Sequence, residues 1–527
     1  MLSVVSLLAL GACKKSKVEP TPIPEPPVVT PPTGTATRQQ LSLDSIFLYA
    51  KEIYYWNDKL PTYATFNPRQ YGTLSTDLLN YEKELFEISK YSNPGEYKAN
   101  ATAPKFSYIF DKSNKNPTAY VNPVSSVDLE GNGNDIGIRF AIFTYSNDPG
   151  FMFFIGGVYP GSPAETAGAT RGDLITKING KSFGANYDAE YNDLNVALAA
   201  NTMAIEVKKA NGNTATYNLT KSVFKSSPIY KSRIITADSK KIGYLSYARF
   251  SNAENSETVL TNAINDFASN GVRDIIVDFR YNGGGYVSTA EHLINLLAPS
   301  TASGVMFTEY FNATMQAGNA KILANQPLVD GAGKIRYHSS GRMLTYADVN
   351  YAPSANVTNF SKKGNLTNVD KIVFLVSRNT ASASELVINS LKPFVNVSLV
   401  GSTTYGKPIG FFPVTIQNKY DVYFSLFETK NSIGQGGYYD GMTPTVSASE
   451  LVAGTSNYIM YDFGDIRDGL VKQALSIISP NAVTVNSTGA KTSLNRSLQT
   501  SGSNNTSIEL VDREFKGMIE NRFKLKN

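Results

Sequence analysis

Cysteine, histidine and tryptophan are nearly absent from this chain, whose 527 residues include one cysteine, two histidines and one tryptophan. The lone Cys13 excludes an intramolecular disulfide and a zinc cluster built on thiols. Neither His292 nor His338 lies in a motif that would activate a serine, so a nucleophilic serine here needs another base. Blocks of lysine and arginine are missing outside the extreme N-terminus. A net charge of +5 with a pI of about 8.8 is only mildly basic, which argues against nucleic acid as a partner. What is present is ordinary for a globular chain, with 42% hydrophobic and 18% charged residues. The length suffices for roughly two to four domains. Tyrosine (31) and phenylalanine (27) are abundant, which suits sheet-rich packing and apolar clefts.

Val4 to Leu10 is a short apolar run, too short to span a bilayer, followed by Gly11-Ala12-Cys13. This arrangement resembles a bacterial lipoprotein signal, although only Met1-Leu2-Ser3 stand where a basic stretch is usual. The resemblance implies a signal over 1–13 and an acylated Cys13, hence an exported protein held on the cell envelope by a lipid and not by a spanning helix. Residues 14–37 are proline-rich, with Pro20, Pro22, Pro24, Pro26 and Pro27 followed by Pro31 and Pro32. Such a stretch reads as an extended spacer.

The rest divides by pattern into an α/β multidomain chain. Residues 38–134 read as a helical region: Leu43, Ile46, Phe47, Ala50, Ile53 and Tyr54 lie on one face of a helix, and a second helix is expected over Thr76 to Ile88. Trp56, just after the first helix, reads as a packing anchor. Residues 135–225 turn to strands and contain Gly161-Ser162-Pro163-Ala164-Glu165-Thr166-Ala167-Gly168 and then Gly172-Asp173-Leu174-Ile175-Thr176-Lys177-Ile178-Asn179-Gly180. This turn-and-helix followed by a hairpin resembles a PDZ domain. The resemblance implies a site that takes a peptide C-terminus as an added strand, its carboxylate held by backbone N–H groups near Ile136, Gly137 and Ile138. In residues 226–475 strands alternate with helices. Asp274–Phe279 and Lys371–Val376 are almost continuously apolar, as in a sheet covered on both faces, and helices are expected over Glu257–Ser269, Ser288–Leu297 and Ala383–Leu391. Residues 476–527 read as a polar tail, rich in Ser, Thr and Asn from Ala482 to about Ser507, with a short helix at its end.

Three pieces of the α/β region carry candidate chemistry. Ser382 follows a strand and opens a helix. Its plain role is a cap, since Ser382-Ala383-Ser384-Glu385 fits a capping box; its chemical role is a nucleophile at a helix N-terminus, where free N–H groups suit a developing oxyanion. Lys407 follows Gly406. It reads as a surface lysine or, if buried among Tyr405, Pro408, Ile409, Phe411 and Phe412, as a base. Gly283-Gly284-Gly285 follows a buried strand and permits a close backbone approach or N–H donation to an oxyanion; it fits no phosphate-loop pattern. Asp278 and Arg280 read as a structural pair, His292 as a packed or exposed histidine, and Asp440-Gly441 as a turn.

Taken in order behind the PDZ-like region, Asp278-Phe279-Arg280-Tyr281-Asn282-Gly283-Gly284-Gly285, Ser382-Ala383-Ser384-Glu385 and Gly406-Lys407 resemble the C-terminal processing peptidases, over roughly Arg38 to Asp468. The resemblance implies a crotonase-like α/β catalytic domain, Ser382 as nucleophile, Lys407 as general base, and an oxyanion hole from the Ala383 N–H with that of Gly285 or Gly284. It implies protein or peptide substrates with accessible C-terminal or unfolded segments, and no metal or organic cofactor. One position departs: Phe411 stands where family members often carry a glutamine that orients the lysine. That departure supports the rival expectation, a catalytically inactive PDZ-containing peptide-binding lipoprotein. A third expectation, a hydrolase of non-peptide esters or amides in the envelope, is disfavoured by the PDZ-like region.

Overall fold

The structure is a computed structural model and describes residues 36–92, 94–113, 127–330, 333–455, 457–480 and 517–526. Cys13, expected to be acylated, the proline-rich spacer up to residue 35 and the polar stretch from Ala482 to Ser507 lie outside the described residues. No helix among the described residues is long and apolar enough to cross a membrane.

Helix α1 (Arg38–Ile53) starts at Thr37, whose hydroxyl accepts from the Gln40 N–H while the Gln40 side chain accepts from the Thr37 N–H. Leu43, Ile46, Phe47, Ala50 and Ile53 are fully buried along one stripe, as their spacing requires. Helix α2 (Asp77–Ser89), capped by Thr76, packs against it. Trp56 is an anchor, with its ring against Tyr54, Tyr55 and Tyr439.

The β-rich region is an antiparallel sheet of β1 (Ile138–Tyr145), β2 (Asp148–Val158), β3 (Leu174–Ile178), β4 (Thr202–Lys208) and β5 (Thr214–Thr220), paired in that order. Helix α3 (Tyr187–Ala199), which no sequence signal had marked, lays Leu194 and Leu198 on the apolar face with Ile138, Phe140 and Ile155. The expected hairpin is present: Asn179 and Gly180 both take positive φ, the requirement of a two-residue type I′ turn. Ser162 caps a one-turn helix, Pro163–Thr166. A Cβ on Gly137 would collide with the Ser162 side chain, so only glycine fits at this loop.

In the α/β region the chain runs β6 (Ile229–Ala237), β7 (Lys240–Tyr247), α4 (Ala253–Ser269), β8 (Asp274–Asp278), β9 (Gly284–Tyr286), α5 (Val287–Leu297), β10 (Val305–Phe311), β11 (Lys371–Val376), α6 (Ala383–Leu391), β12 (Asn396–Gly401), β13 (Ile409–Gly410), β14 (Phe427–Asn431), β15 (Val446–Ser447), β16 (Leu451–Ala453), β17 (Tyr458–Met460) and α7 (Gly469–Ile478). Six strands form one sheet in the order β6-β7-β8-β11-β12-β15, parallel except for β6. Its continuous apolar strands are explained by two-sided cover. Ile275, Val277, Ile372 and Phe374 join the core beneath α4, α5 and α6, while Ile276, Val373 and Leu375 join Leu470, Val471 and Leu475 of α7. The short helix expected at the chain's end is not found among the described residues. Residues 508–516 lie outside the described residues, and Gly517–Ile519 forms a strand, β18, whose backbone groups pair with neighbouring chain.

A buried ion network joins the β-rich and α/β regions. Arg280 pairs with Asp278 at 2.8 Å and with Asp468 at 2.9 Å, and Arg171 of the β-rich region reaches Asp468 at 3.3 Å and Glu450 at 2.5 Å. Asp468 also caps α7, accepting from the N–H groups of Leu470 and Val471. Burial works against its charge, but the Arg280 and Arg171 guanidiniums outweigh it and hold the carboxyl below its usual range. Its contribution is therefore present above the ordinary aspartate range and lost as pH falls through its lowered pKa. Replacing Asp468 by Ala takes one carboxylate from two buried guanidiniums, leaving Arg280 to Asp278 and Arg171 to Glu450, and is expected to cost about 3 kcal/mol at neutral pH. Urea unfolding should show this cost shrinking under strongly acidic conditions; a cost below about 1 kcal/mol at pH 7 would contradict the assigned role.

Candidate active site

Strand β11 ends in a loop that the glycine turn pins in place. The Thr380 hydroxyl donates to Phe279 O at 2.7 Å, the Ala381 N–H donates to Asn282 O at 3.1 Å, and the Ser384 hydroxyl donates to the same oxygen at 3.1 Å. Ser382 then opens α6 with φ 59° and ψ −109°. An ordinary helix cap takes extended backbone angles and spends its oxygen on the first turn. Ser382 does neither. It is 0% exposed, and its Oγ has no hydrogen-bond partner among the described residues. Positive φ in a non-glycine residue costs on the order of 1–3 kcal/mol, and an unpaired buried hydroxyl costs a similar amount. Such costs persist where the surroundings over-determine the geometry.

Those surroundings centre on Glu385. Its buried carboxylate accepts from the N–H of Ser382 at 2.8 Å, from the N–H groups of Gly406 and Lys407 at 2.8 Å each, and from the Thr404 hydroxyl. The expected capping box is thus half formed, with its glutamate working and its serine oxygen left over. Burial pushes the Glu385 carboxyl up, opposed by the four donors. Gly406 takes φ +84° between Tyr438, Tyr439 and Gly441, where a Cβ would collide with backbone.

Lys407 is 1% exposed, not a surface lysine. Its Nζ donates to Phe106 O at 3.1 Å and stands 4.3 Å from the Phe411 ring centroid and 5.7 Å from that of Phe106. Phe411 therefore meets the amine with a ring face where a glutamine would offer an amide. Phe106 lies 301 residues away in the chain and carries no sequence signal. Its loop is held by buried Glu96, which accepts from Tyr54 OH at 2.6 Å, Phe106 N–H at 3.0 Å and Ser107. Ser382 and Lys407 come together through Glu385, without a direct hydrogen bond. A second lysine is nearby: Lys105 donates to Tyr439 O at 2.6 Å, and burial, then Lys98, push its pKa down to about 8.

In the glycine turn, the Gly284 N–H donates to Asn282 Oδ1 at 2.9 Å, so this candidate oxyanion donor is already committed. Gly284 and Gly285 take φ +110° and +140°. A Cβ on Gly284 would come within 3.0 Å of the Ala383 N–H nitrogen and would collide with Gly517 O. Ala383 opens α6 next to Ser382, and the Gly285 N–H faces the Gly517 carbonyl across the pairing of β9 with β18. Asp278 and Arg280 form the expected structural pair. His292 is buried between Thr261 and Lys363, and Asp440 is an exposed turn residue paired with Lys98. Ile136 and Gly137 form a loop whose carbonyls accept from Ala164 and Tyr159, and Ile138 begins β1. A cleft lined by Arg280, Tyr281, Ser377, Arg378 and Glu450 includes neither Ser382 nor Lys407.

Comparison with known proteins places two regions of the chain in known families. Residues 241–453, which contain all three motifs, match peptidase family S41, and residues 154–194 match a PDZ domain. The carboxy-terminal processing protease CtpA of Bacillus subtilis is 27% identical over 248 residues, 47% of this chain and 42% of the relative. The chloroplastic C-terminal processing peptidase of Tetradesmus obliquus is 24% identical over 259 residues, 47% of this chain and 46% of the relative. The matches span about half the length of these relatives. A crystal structure from Bacteroides fragilis described as an S41 protease shares the fold, with a TM-score of 0.52 and 22% identity over 83% of this chain and 97% of that one. The chain thus carries a peptidase family S41 domain over most of its α/β region and a PDZ domain in its β-rich region, and is similar over those parts to C-terminal processing proteases.

Proposed function

We propose that this protein is a serine endopeptidase in which Ser382 is the nucleophile, Lys407 the general base, and the N–H groups of Gly285 and Ala383 the oxyanion donors. The observation that carries this reading is the unpartnered, fully buried Ser382 Oγ on a strained turn, tied through Glu385 to the loop of a buried lysine. Neutral Lys407 takes the Ser382 proton as Oγ attacks the peptide carbonyl. The oxyanion is met by the two N–H groups at the start of α6 and in the glycine turn. The ammonium then protonates the leaving amine, and the acyl group on Ser382 is released by a water that Lys407 deprotonates. Lys407 has to turn from Phe106 O toward Ser382 for the first step. Catalytic hydrogen bonds are often longer without substrate.

Substrates are protein segments that are unfolded or have free C-termini, recognised with the help of the PDZ domain and its loop at Ile136, Gly137 and Ile138. A lipid on Cys13 and the proline-rich spacer hold the enzyme on the bacterial envelope; labelling with a radioactive fatty acid should be lost in Cys13→Ser. The second reading, a catalytically inactive peptide-binding lipoprotein, draws on Phe411 and on the absence of a direct Ser382–Lys407 hydrogen bond. Under it, Ser382→Ala leaves function intact.

Against an unfolded protein substrate, Ser382→Ala and Lys407→Ala are each expected to lower kcat/KM by about 10³-fold or more, while Lys105→Ala stays close to the parent. Because Lys407 acts only when neutral, the rate should climb by about one decade per pH unit below the lysine's pKa. A flat profile with chemistry rate-limiting would remove Lys407 as the base. Phe411→Ala should lower kcat about 10- to 100-fold by loosening the amine and shift the midpoint of the pH profile, whereas Phe411→Gln should recover most of the loss. An unshifted midpoint would reduce Phe411 to packing.

A further inference from the structure

Strand β18 lies between the two halves of the candidate site. On one side it pairs in parallel with β9, in the register Gly284↔Gly517, Gly285↔Met518 and Tyr286↔Ile519, and the Gly517 N–H donates to Gly283 O at 3.0 Å. A parallel ladder in this register aims the Gly517 carbonyl at the Gly285 N–H. The position of a Cβ on Gly284, which Gly517 O blocks, is also 3.0 Å from the Ala383 nitrogen. A carbonyl of the chain itself thus stands at the Gly285 N–H, one of the two groups assigned to the oxyanion, and the same Gly284 position borders the nitrogen of the other, Ala383. On the other side, the Phe411 N–H donates to Met518 O at 3.0 Å and the Glu520 N–H to Phe411 O at 3.2 Å. Phe411 is the residue whose ring meets Lys407.

Resting on the peptidase reading above, we propose that the groove between β9 and Phe411 is the substrate-strand site, and that Gly517–Ile519 fills it as an intramolecular stand-in for substrate. The occupant describes the peptide the groove takes. That peptide is extended and parallel to β9, with a small residue at the reactive carbonyl, as Gly517. A large apolar residue follows, as Met518, which is 0% exposed. An external peptide enters only after this segment leaves.

The segment's anchoring is conditional. Beyond β18, Phe523 packs edge-on against Phe412 and Tyr346, and Leu525 bridges to Val349. Glu520, however, is buried against Glu309 of β10, whose Oε1 has no hydrogen-bond partner. Burial and then the neighbouring carboxyl push Glu309 well up. Burial also raises Glu520, although Arg522 opposes it. Arg522 is shared with Glu291 at 2.6 Å, and Lys524 adds positive charge near Glu309. Raised carboxyls favour docking while they hold their proton, so docking weakens as pH rises.

The bridge between Val349 and Leu525 supplies the test. The bonds Asn350 N–H to Lys524 O and Lys526 N–H to Asp348 O flank it, so the pair is of the non-hydrogen-bonded kind, with Cα atoms about 4.5 Å apart. A disulfide fits that spacing. In the full chain carrying Cys13→Ser, Val349→Cys and Leu525→Cys, the oxidised form should cleave an unfolded protein at least tenfold more slowly than the reduced form, which should match the Cys13→Ser parent. Equal rates in the two forms would overturn the proposal and make β18 a fixed wall. Hydrogen exchange reads the same event without catalysis. In the unaltered chain the Phe411 amide should exchange at least tenfold faster than that of Ile276 in β8, and the disulfide should abolish the difference. A Phe411 amide as protected as Ile276 would overturn the proposal. If no form cleaves anything, the peptidase reading falls while the exchange result still decides the strand.

Discussion

One buried carboxylate sets the geometry on which the site depends. Glu385 stands at the first turn of α6, where the helix N-terminus favours negative charge. A lone carboxylate at that depth would be costly, and the cost is offset only because four donors converge on it. One donor belongs to the serine turn and three to the lysine loop. Two loops joined by a helix and a strand thus share one acceptor, and neither can shift without leaving N–H groups unpaired. The strained turn at Ser382 follows from the same constraint. Its N–H is held by Glu385 and its neighbour Ala381 is held by Asn282, which leaves Ser382 little freedom in φ.

Other regions extend this frame. The N-terminal helices belong to the site, because Tyr54 and Glu96 hold the loop whose Phe106 carbonyl receives the Lys407 amine. Asn282 takes the Gly284 N–H and accepts from Ala381, and it follows Arg280 by two residues in the chain. Arg280 shares Asp468 and Glu450 with Arg171. The PDZ domain is therefore fastened to the stretch of chain that shapes the glycine turn, through buried charges whose mutual attraction is strong only while all partners are present.

What could be read in advance is what leaves a pattern in side chains. The alternation hidden in Asp274–Phe279 and Lys371–Val376 announced a sheet covered on both faces, since apolar residues at both odd and even positions need two cores. Asn179-Gly180 announced its turn because few residues accept positive φ in succession. The serine, the lysine and the glycines were legible as motifs. What escaped notice was carried by backbone atoms or by very short elements. A carbonyl such as Phe106 O has no residue identity, so nothing in the sequence marked it as the partner of Lys407. A three-residue strand such as β18 is too short to show a period, and only pairing with β9 defines it. The capping box misled in one respect, because it describes residue types and cannot register that Ser382 takes a left-handed φ and withholds its hydroxyl.

The costs in this fold are not spread evenly. A strained serine with an unpaired hydroxyl, a buried lysine amine, and two carboxyls facing each other behind β18 all border one groove. Some buried charges elsewhere are matched, as Arg280 is by Asp278 and Asp468, while others such as Glu84 in α2 are not. A well-packed core selects against such local costs, each of about 1–3 kcal/mol. Their clustering therefore needs a reason that packing does not supply. Glu385 and Asn282 supply the rigidity that keeps the groove in its costly form. The Ser382 hydroxyl has no hydrogen-bond partner among the described residues, while the Lys407 amine rests on Phe106 O and the Gly285 N–H faces Gly517 O, contacts that a peptide would have to replace under the proposed reading. The arrangement is stable as a frame and incomplete as a chemical environment, which is the condition under which binding a substrate strand can be spent on reaching a transition state.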